Sequence, residues 1–252
     1  MATLQRTLGL RDMTLLVFGS VIGSGVFLVP GAILRQVDGS TGLAMLVWVV
    51  GGVLSLLGAL TYGELAAMNP AAGGLYVYIR DCFGRLPAFL YGWTLFLVIA
   101  NGAIATLAVA FGTYLGKVVP LGASGEKTAA VVMIAVLTAV NVRGTRQSSD
   151  LMNWSTLVKS LLLLGISAVL LVRGHHYTDT AAALWPAQLG AKTFSNFGLA
   201  MISVLWAYEG WQFATYSAGE AKDPQRNLPL AFLTGVLFLI FIYVLTDRKS
   251  VV

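Results

Sequence analysis

The chain has 252 residues, of which 57% are hydrophobic and only 11% are charged, and its formal net charge is +5. Soluble domains carry about 25% charged residues, so this composition excludes an ordinary water-soluble globule. The basic residues fall between long apolar runs, where they set membrane orientation, so the positive charge does not indicate a nucleic-acid partner.

Seven apolar runs are long enough, or nearly so, to cross a bilayer, which takes about 20 residues of helix. Residues 1–13, which precede them, are polar and amphipathic and lack the pattern of a cleavable signal peptide, so we expect the N-terminus to be retained. The sequence therefore predicts an all-α integral membrane protein surrounded by the lipid bilayer. The predicted spans are residues 14–34, 41–67, 87–118, 128–142, 151–172, 195–218 and 228–246.

The first and sixth runs are interrupted by residues that favour leaving a helix. The first is interrupted at residues 23–25 and again at residues 30–31, where Gly, Ser and Pro occur, and the sixth around residues 207–210. We therefore predict that both spans are broken. Residues 69–87, between the second and third runs, are short and mixed and predict an interfacial helix.

Lysine and arginine residues are more numerous on the N-terminal side of the predicted spans than on the other side. Because positively charged loops stay in the cytoplasm, this bias predicts a cytoplasmic N-terminus. The protein is then a multi-pass protein of the cell membrane, either a plasma membrane or a bacterial inner membrane.

Broken first and sixth spans occupy matching places if five helices form one repeat and the sixth begins another. This pattern is typical of inverted-repeat transporters, whose substrate sites lie at such breaks. Unwinding a helix at membrane depth frees N–H and C=O groups that lipid cannot satisfy, so they must face a cavity or a ligand. A half-helix starting near Val26 would point free N–H groups at a carboxylate, and the carbonyls ending the preceding half-helices would accept from an ammonium group. This geometry suits an α-amino acid; the alternative is that Gly19, Gly23 and Gly25 only allow close helix packing.

The last apolar run stops at residues 247–252, DRKSVV, with no returning loop. This hexapeptide resembles the translation of a common sequencing adapter, and we treat it as a non-native tail. The remaining residues, 1–246, form one transmembrane domain, with a first repeat at about 14–172 and the start of a second at about 195–246. On this interpretation the chain is a fragment of a longer protein, truncated to about seven spans.

Four motifs carry a resemblance to a known family, in the family's order and over nearly the whole chain: VIGSGVFLVPGAI, NPAAGGLYVYIRDCFG, NVRGTRQSS and LWAYEGWQFATYSAGEAKDPQRNLPLA. They are similar to those of the amino acid–polyamine–organocation superfamily of permeases. The resemblance implies a leucine-transporter-type inverted-repeat fold and secondary active transport of amino acids, or of polyamines, by alternating access. It implies sodium-independent exchange or symport with protons, and no cofactor. We expect the 252-residue chain alone not to transport.

The resemblance also assigns a substrate site to the two breaks. Ser24 and Gly25 would bind the substrate carboxylate through backbone N–H groups, and the carbonyls of Val21, Trp206 and Glu209 would accept from its ammonium group. Trp206 matches the family's gating aromatic residue; the alternative is a packing or interface tryptophan. The complete predicted substrate-binding set is Val21, Ile22, Gly23, Ser24, Gly25, Trp206, Ala207, Tyr208, Glu209 and Gly210.

Lys159 lies inside the apolar fifth run. An ionisable residue at that depth costs about 2.5–3.5 kcal/mol on insertion scales, so we expect Lys159 to face the protein interior. By resemblance to sodium-independent members of the family, it would be a coupling residue whose ammonium group takes the place of a sodium ion. The alternative is a lysine that snorkels to the membrane surface.

Glu209 is the second charge that lies away from the ends of a predicted span. It could be protonated, could accept hydrogen bonds from the backbone at the break, or could contact a cationic substrate side chain, and the sequence leaves these three open. Gln212 stands where the acid-resistance arginine exchangers of the family carry a glutamate, which argues against that particular exchange.

The sequence gives no support to an enzyme or to a metal site. It contains no HExxH, GxSxG or Walker-type motif. His175 and His176 are adjacent in a polar loop, where neighbouring side chains diverge, and Cys82 is the only cysteine. The remaining alternatives to a transporter are a membrane sensor that binds an amino acid without carrying it and a membrane enzyme built on Lys159 and Glu209.

Overall fold

The computed structural model describes residues 6–143, 145–173, 184–186 and 190–250. His175 and His176 lie outside the described residues. The described chain forms helices joined by short turns, as the apolar runs predict, together with one isolated bridge between Leu8 and Ala221. The elements are α1 (Leu10–Val21), α2 (Gly25–Gln36), α3 (Thr41–Met68), α4 (Leu75–Phe83), α5 (Arg85–Thr94), a π-helical segment (Leu95–Ala100), α6 (Asn101–Val118), α7 (Gly122–Arg143), α8 (Thr145–Arg173), α9 (Ala191–Ala207), a 3-10 helix (Trp211–Glu220) and α10 (Pro224–Ser250).

The first predicted span consists of two helices, α1 and α2, bent by 49° across a break at residues 22–24. α1 ends because Ile22 turns to extended backbone, with ψ at 94°, and is followed by Gly23 and Ser24, which are poor helix formers. The Ser24 carbonyl then accepts from the N–H groups of Phe27 and Leu28, at 3.1 and 3.2 Å, and so opens the first turn of α2. The predicted break at this position is confirmed.

The second interruption predicted for the first span, at residues 30–31, is wrong, because α2 continues to Gln36. Pro30 is the sixth residue of α2, so its ring removes one hydrogen bond, the one that would reach Val26. Pro30 is buried on the same helix as Ile33. Burial of this face outweighs the lost hydrogen bond, because helix stability in proteins comes mostly from packing and less from propensity.

The break predicted in the sixth span is also confirmed. α9 ends at Ala207, a turn follows, and the chain resumes as the 3-10 helix from Trp211. Gly210 ends the turn at φ +126°, a backbone conformation that is open to glycine and strained for other residues. α10 then starts at Pro224, which suits the first position of a helix because it lacks an N–H group.

The remaining predicted runs also fall on helices, although several of these helices begin or end at other residues than predicted. The third span, Arg85–Val118, includes a π-helical turn at Leu95–Ala100, and the predicted interfacial segment contains the short helix α4. The fourth span starts at Gly122, earlier than residue 128, because the small polar residues before the apolar run also join the helix.

Among the residues that the structure describes, four helical stretches are long and apolar enough to cross a membrane, and the bent α1–α2 pair makes a fifth. α9 has 17 residues and is shorter than these stretches, and α8 contributes the shorter apolar stretch Trp154–Gly165 from the residues whose side chains the structure describes. The protein is therefore a multi-pass helical membrane protein, and the count of seven spans stays a prediction. The four stretches are Thr41–Met68, Arg85–Val118, Gly122–Arg143 and Pro224–Thr246.

The chain divides into two compact units, one of residues 1–75 with 155–252 and the other of residues 76–154. In the second unit α6 and α7 pack closely at Gly112, where a side chain would meet the Glu126 carbonyl. The first unit contains both broken spans and a continuous apolar core. Three aromatic residues, Trp48, Tyr208 and Tyr243, are the largest fully buried side chains of this core.

Candidate functional site

The two broken spans touch each other at their breaks, and each contact is made by a glycine. A Cβ atom on Gly25 would lie 3.1 Å from the Cα atom and 3.3 Å from the Cβ atom of Ala207. A Cβ atom on Gly210 would collide with the Ser20 carbonyl oxygen. Each break therefore packs directly on the backbone of the other span, which explains the small residues at both positions.

The carbonyl groups that end α1 are held by side chains from two distant helices. Lys159 of α8 donates to the Ile22 carbonyl oxygen at 2.7 Å, and the hydroxyl of Tyr243 in α10 donates to that of Val21 at 3.4 Å. Lys159 is half-buried, and its ammonium group faces the break. A positive charge is stabilised at this position because the carbonyl end of a helix carries partial negative charge.

The N–H groups at the start of α2 are in a different situation. Among the described residues, no hydrogen bond involves the backbone N–H of Gly23, Ser24 or Gly25. The first N–H groups of a helix have no acceptor within the helix, and they carry the positive end of its dipole. This end of α2 is therefore suited to an anionic group such as a carboxylate.

The second break is partly closed by hydrogen bonds among its own residues and Gln212. The N–H of Glu209 donates to the Trp206 carbonyl at 3.3 Å, and the N–H of Gly210 donates to the side-chain oxygen of Gln212 at 3.1 Å. The Gln212 amide in turn donates to the Glu209 carboxylate at 3.4 Å. Gln212 thus bridges the turn, a role that the sequence does not indicate.

An open cleft of about 480 Å³ lies beside the second break. Its walls are apolar except for Ser55 and the exposed carboxylate of Glu209. Binding pockets for small molecules typically measure about 300–1,000 Å³, so an amino acid would fit. The lining residues are Leu54, Ser55, Ile202, Leu205, Trp206, Glu209 and Trp211.

Two of the predicted site residues, Trp206 and Glu209, line the cleft, and the Trp206 side chain is 51% exposed. Ser24 is also exposed and Gly23 is half-buried. The others can offer a ligand little besides backbone atoms, because the structure buries them. These buried residues are Val21, Ile22, Gly25, Ala207, Tyr208 and Gly210.

Tyr208 points away from the cleft into a buried aromatic cluster. Its ring centroid lies 5.8 Å from that of Trp48 and 5.0 Å from that of Tyr243, and its hydroxyl donates to the Trp48 carbonyl at 3.4 Å. Trp48 and Tyr243 are residues that sequence reasoning missed. No local pattern could have found them, because they lie 160 and 222 positions along the chain from their hydrogen-bond partners at the breaks.

Polar side chains join the C-terminal end of α2 to α9. Gln36 and Ser203 are hydrogen-bonded at 3.4 Å. Asp38 accepts from Lys192 at 3.1 Å and from Asn196 at 3.0 Å. α2 and α9 are therefore linked both at the breaks and by polar side chains at the C-terminal end of α2.

The described residues contain no group of three or more His, Cys, Asp or Glu side chains that could hold a metal ion. The polar atoms near the breaks are backbone N–H and C=O groups, one ammonium, one carboxylate and a few hydroxyl and amide groups. Such a set can bind a zwitterion by hydrogen bonds and charge.

Comparison with known proteins gives a family match over most of the chain. Residues 8–247 match the family model described as amino acid permease. The serine/threonine exchanger SteT of Bacillus subtilis is 31% identical over 96% of this chain and 53% of its own length. The b(0,+)-type amino acid transporter 1 of Mus musculus is 31% identical over 97% of this chain and 51% of its own. The Asc-type amino acid transporter 1 of Homo sapiens is 31% identical over 97% of this chain and 48% of its own. The chain spans about half the length of these relatives.

Proposed function

We propose, because the chain belongs to the amino acid permease family of the amino acid–polyamine–organocation superfamily, that it forms the amino-acid-binding half of a secondary active transporter. The observation that carries this proposal is the meeting of the two unwound segments, Gly25 on Ala207 and Gly210 on Ser20. Unwound N–H and C=O groups at membrane depth require hydrogen-bond partners. An amino acid supplies acceptors in its carboxylate and donors in its ammonium group.

The amino acid would lie between the breaks with its two charged ends on backbone groups. The carboxylate would accept from the N–H groups of Ser24 and Gly25, at the positive end of the α2 dipole. The ammonium would donate to the carbonyls of Val21, Trp206 and Glu209. The side chain would extend along Trp206 into the cleft, where most of the surface is apolar.

Lys159 supports transport without sodium. Its ammonium group lies 2.7 Å from the Ile22 carbonyl oxygen and so supplies a fixed positive charge at the end of α1. A sodium ion at the same carbonyl would meet this charge at close range. We therefore propose that coupling uses a second amino acid or a proton, with Lys159 as the resident cation.

The mode of transport that we favour is exchange by alternating access. The name of one relative, the serine/threonine exchanger, agrees with this mode. The broken spans would rock against the remaining helices and expose the site to each side in turn, with Trp206 covering the bound side chain. We place the protein in the cell membrane with a cytoplasmic N-terminus, from the distribution of its basic residues.

Radiolabelled uptake by the full-length protein in proteoliposomes tests the proposal. A panel of amino acids would be offered with and without sodium, with and without a pH gradient, and with and without amino acid inside the vesicles. We expect uptake that is independent of sodium and stimulated by internal amino acid. Uptake that is stimulated by the pH gradient and not by internal amino acid would identify proton symport. Binding of an amino acid without any uptake would overturn the transporter and support a sensor.

A further inference from the structure

Gln212 holds the turn at the second break through both ends of its amide group. Its side-chain oxygen accepts from the Gly210 N–H at 3.1 Å, and its side-chain nitrogen donates to the Glu209 carboxylate at 3.4 Å. The backbone of Gln212 is held as well, since its carbonyl accepts from the Thr215 hydroxyl at 2.7 Å. An N–H group requires the amide oxygen and a carboxylate requires the amide nitrogen. An amide at this position therefore does what neither a carboxylate nor an apolar side chain of similar length could do.

Gly210 is the residue of this turn whose backbone depends on a side chain. It is buried in a membrane span, where an N–H group without an acceptor is costly. Its carbonyl is paired inside the turn and accepts from the Phe213 N–H at 3.0 Å. Its N–H group instead donates to the Gln212 side chain, which comes from two positions further along the chain. Loss of this acceptor would leave a buried donor unsatisfied and favour a different shape of the turn.

The position of Gly210 matters for the amino acid site, because Gly210 lies against the end of α1. A Cβ atom on Gly210 would lie 3.3 Å from the Val21 Cα atom and would collide with the Ser20 carbonyl oxygen. The Val21 carbonyl belongs to the proposed ammonium site. The carbonyls of Trp206 and Glu209 belong to it as well, and they precede Gly210 in the same turn. A shift of Gly210 would therefore move the carbonyl groups of the two breaks relative to each other.

We propose that Gln212 is a positioning residue of the amino acid site. It acts through the Gly210 N–H and the Glu209 carboxylate, and not by contact with the amino acid. This proposal rests on the proposed function. It agrees with a movement of the two broken spans as one body, because the turn that Gln212 holds is part of the contact between them.

Removal of the amide in the full-length protein tests this role. Gln212→Met keeps roughly the length of the side chain and removes both the acceptor and the donor. A buried donor that loses its acceptor shifts an equilibrium by about fivefold or more. We expect two quantities to rise by at least about this factor: the deuterium exchange rate of the Gly210 N–H, from residue-resolved mass spectrometry, and the Kd for a labelled amino acid. A parental Kd in Gln212→Met would overturn the inference.

Gln225 provides a matched control, because it is an exposed glutamine in the first turn of α10. Gln225→Met and Gln225→Glu should keep both quantities within about twofold of the parent protein, as exposed substitutions usually do. Thermal unfolding of every variant identifies protein that has not folded. If Gln212→Met fails to fold, the reciprocal exchange described next carries the test.

A reciprocal exchange of the two side chains separates positioning from a general loss of stability. Gln212→Glu keeps an acceptor for the Gly210 N–H but places a second carboxylate beside that of Glu209, and like charges repel. Combined with Glu209→Gln, the same substitution restores a complete pair, because the introduced amide donates to the introduced carboxylate. We expect Gln212→Glu to raise the Kd about fivefold or more when Glu209 is present. It should leave the Kd within about twofold of that of Glu209→Gln when Glu209 is replaced. An equal rise of the Kd in both backgrounds would refute the positioning role.

Binding and uptake, measured separately, distinguish this inference from the proposed function. A protein that binds an amino acid with the expected dependence on Gln212, and carries none into proteoliposomes, would keep the positioning role and lose the transporter. A protein that carries amino acids, while Gln212→Met binds them with the parental Kd, would keep the transporter and lose the positioning role.

Discussion

Substitution of Gly25 tests whether the contact between the two breaks is the amino acid site. A Cβ atom at this position would lie 3.1 Å from the Ala207 Cα atom and 3.5 Å from the Cζ3 atom of Trp206. Non-bonded carbon atoms pack at about 3.5–4.0 Å. Alanine would therefore push the breaks apart by a few tenths of an ångström, and the two γ carbons of valine would push them further.

The size of the effect follows from the cost of overpacking. Extra carbon atoms in a well-packed interior cost about 1–3 kcal/mol, which corresponds to roughly five- to 150-fold in an equilibrium constant. Because the N–H of Gly25 is one of the proposed carboxylate donors, the displacement falls on the state that binds the amino acid. We expect the loss of amino acid binding to lie near the lower end of this range for Gly25→Ala and near the upper end for Gly25→Val.

Uptake of labelled amino acid into proteoliposomes measures the effect, with thermal unfolding of the same samples to separate a damaged site from a misfolded protein. Gly198 is a matched control, since it lies in α9 with nothing within 4 Å of the position of its missing Cβ atom. Gly198→Ala and Gly198→Val should stay within about twofold of the parent protein, as exposed substitutions usually do. Uptake by Gly25→Val with the KM and rate of the parent would refute the reasoning.

Three further predictions concern the polar groups at the breaks. Lys159→Met leaves the Ile22 carbonyl without its 2.7 Å donor, so we expect uptake to fall about tenfold or more. Lys159→Gln should lie between this variant and the parent protein. Uptake by Lys159→Met at the rate of the parent would contradict the role of the ammonium group. Tyr243→Phe removes only the long 3.4 Å hydrogen bond to the Val21 carbonyl, so KM should rise by less than about tenfold while the unfolding temperature stays close to that of the parent. Tyr243→Ala also removes a buried ring and should cost about 3–5 kcal/mol of stability, so equal stability of the two Tyr243 variants would show that the ring packs less than the structure indicates. An amine that lacks the carboxylate, such as a polyamine, should fail to compete with a labelled amino acid for uptake, and competition at equal concentration would refute the assignment of the N–H groups of Ser24 and Gly25.

Local sequence was sufficient to predict both breaks and the all-helical membrane fold. Gly23 and Ser24 are poor helix formers in an otherwise apolar run, and the turn at Gly210 needs a backbone conformation that glycine adopts easily. Pro30 shows where the same rules fail. Its missing N–H group is a local property, but the burial that keeps α2 helical around it depends on residues from elsewhere in the chain.

The partners of the breaks could not be predicted from the sequence, because they are distant in the chain. Lys159 was found as an isolated charge in an apolar run, yet the carbonyl that it binds is 137 positions away. Tyr243 has no unusual local surroundings, and neither does the Leu8–Ala221 bridge. Tertiary packing also decides which of the predicted site residues reach the cleft. Tyr208 turns into the core, while its near neighbours Trp206 and Glu209 line the cleft.

The backbone groups of the first break are unequally satisfied, and this asymmetry indicates what the ligand must supply. The Ile22 and Val21 carbonyls already accept from Lys159 and Tyr243. The N–H groups at residues 23–25 have no partner among the described residues, and they lie at the positive end of α2. In a bilayer, unpaired N–H groups are costly, so the group that gains most by entering is an anion. We therefore expect a carboxylate to contribute more to binding at this break than an ammonium group does, which supports the proposal of amino acids over polyamines as substrates.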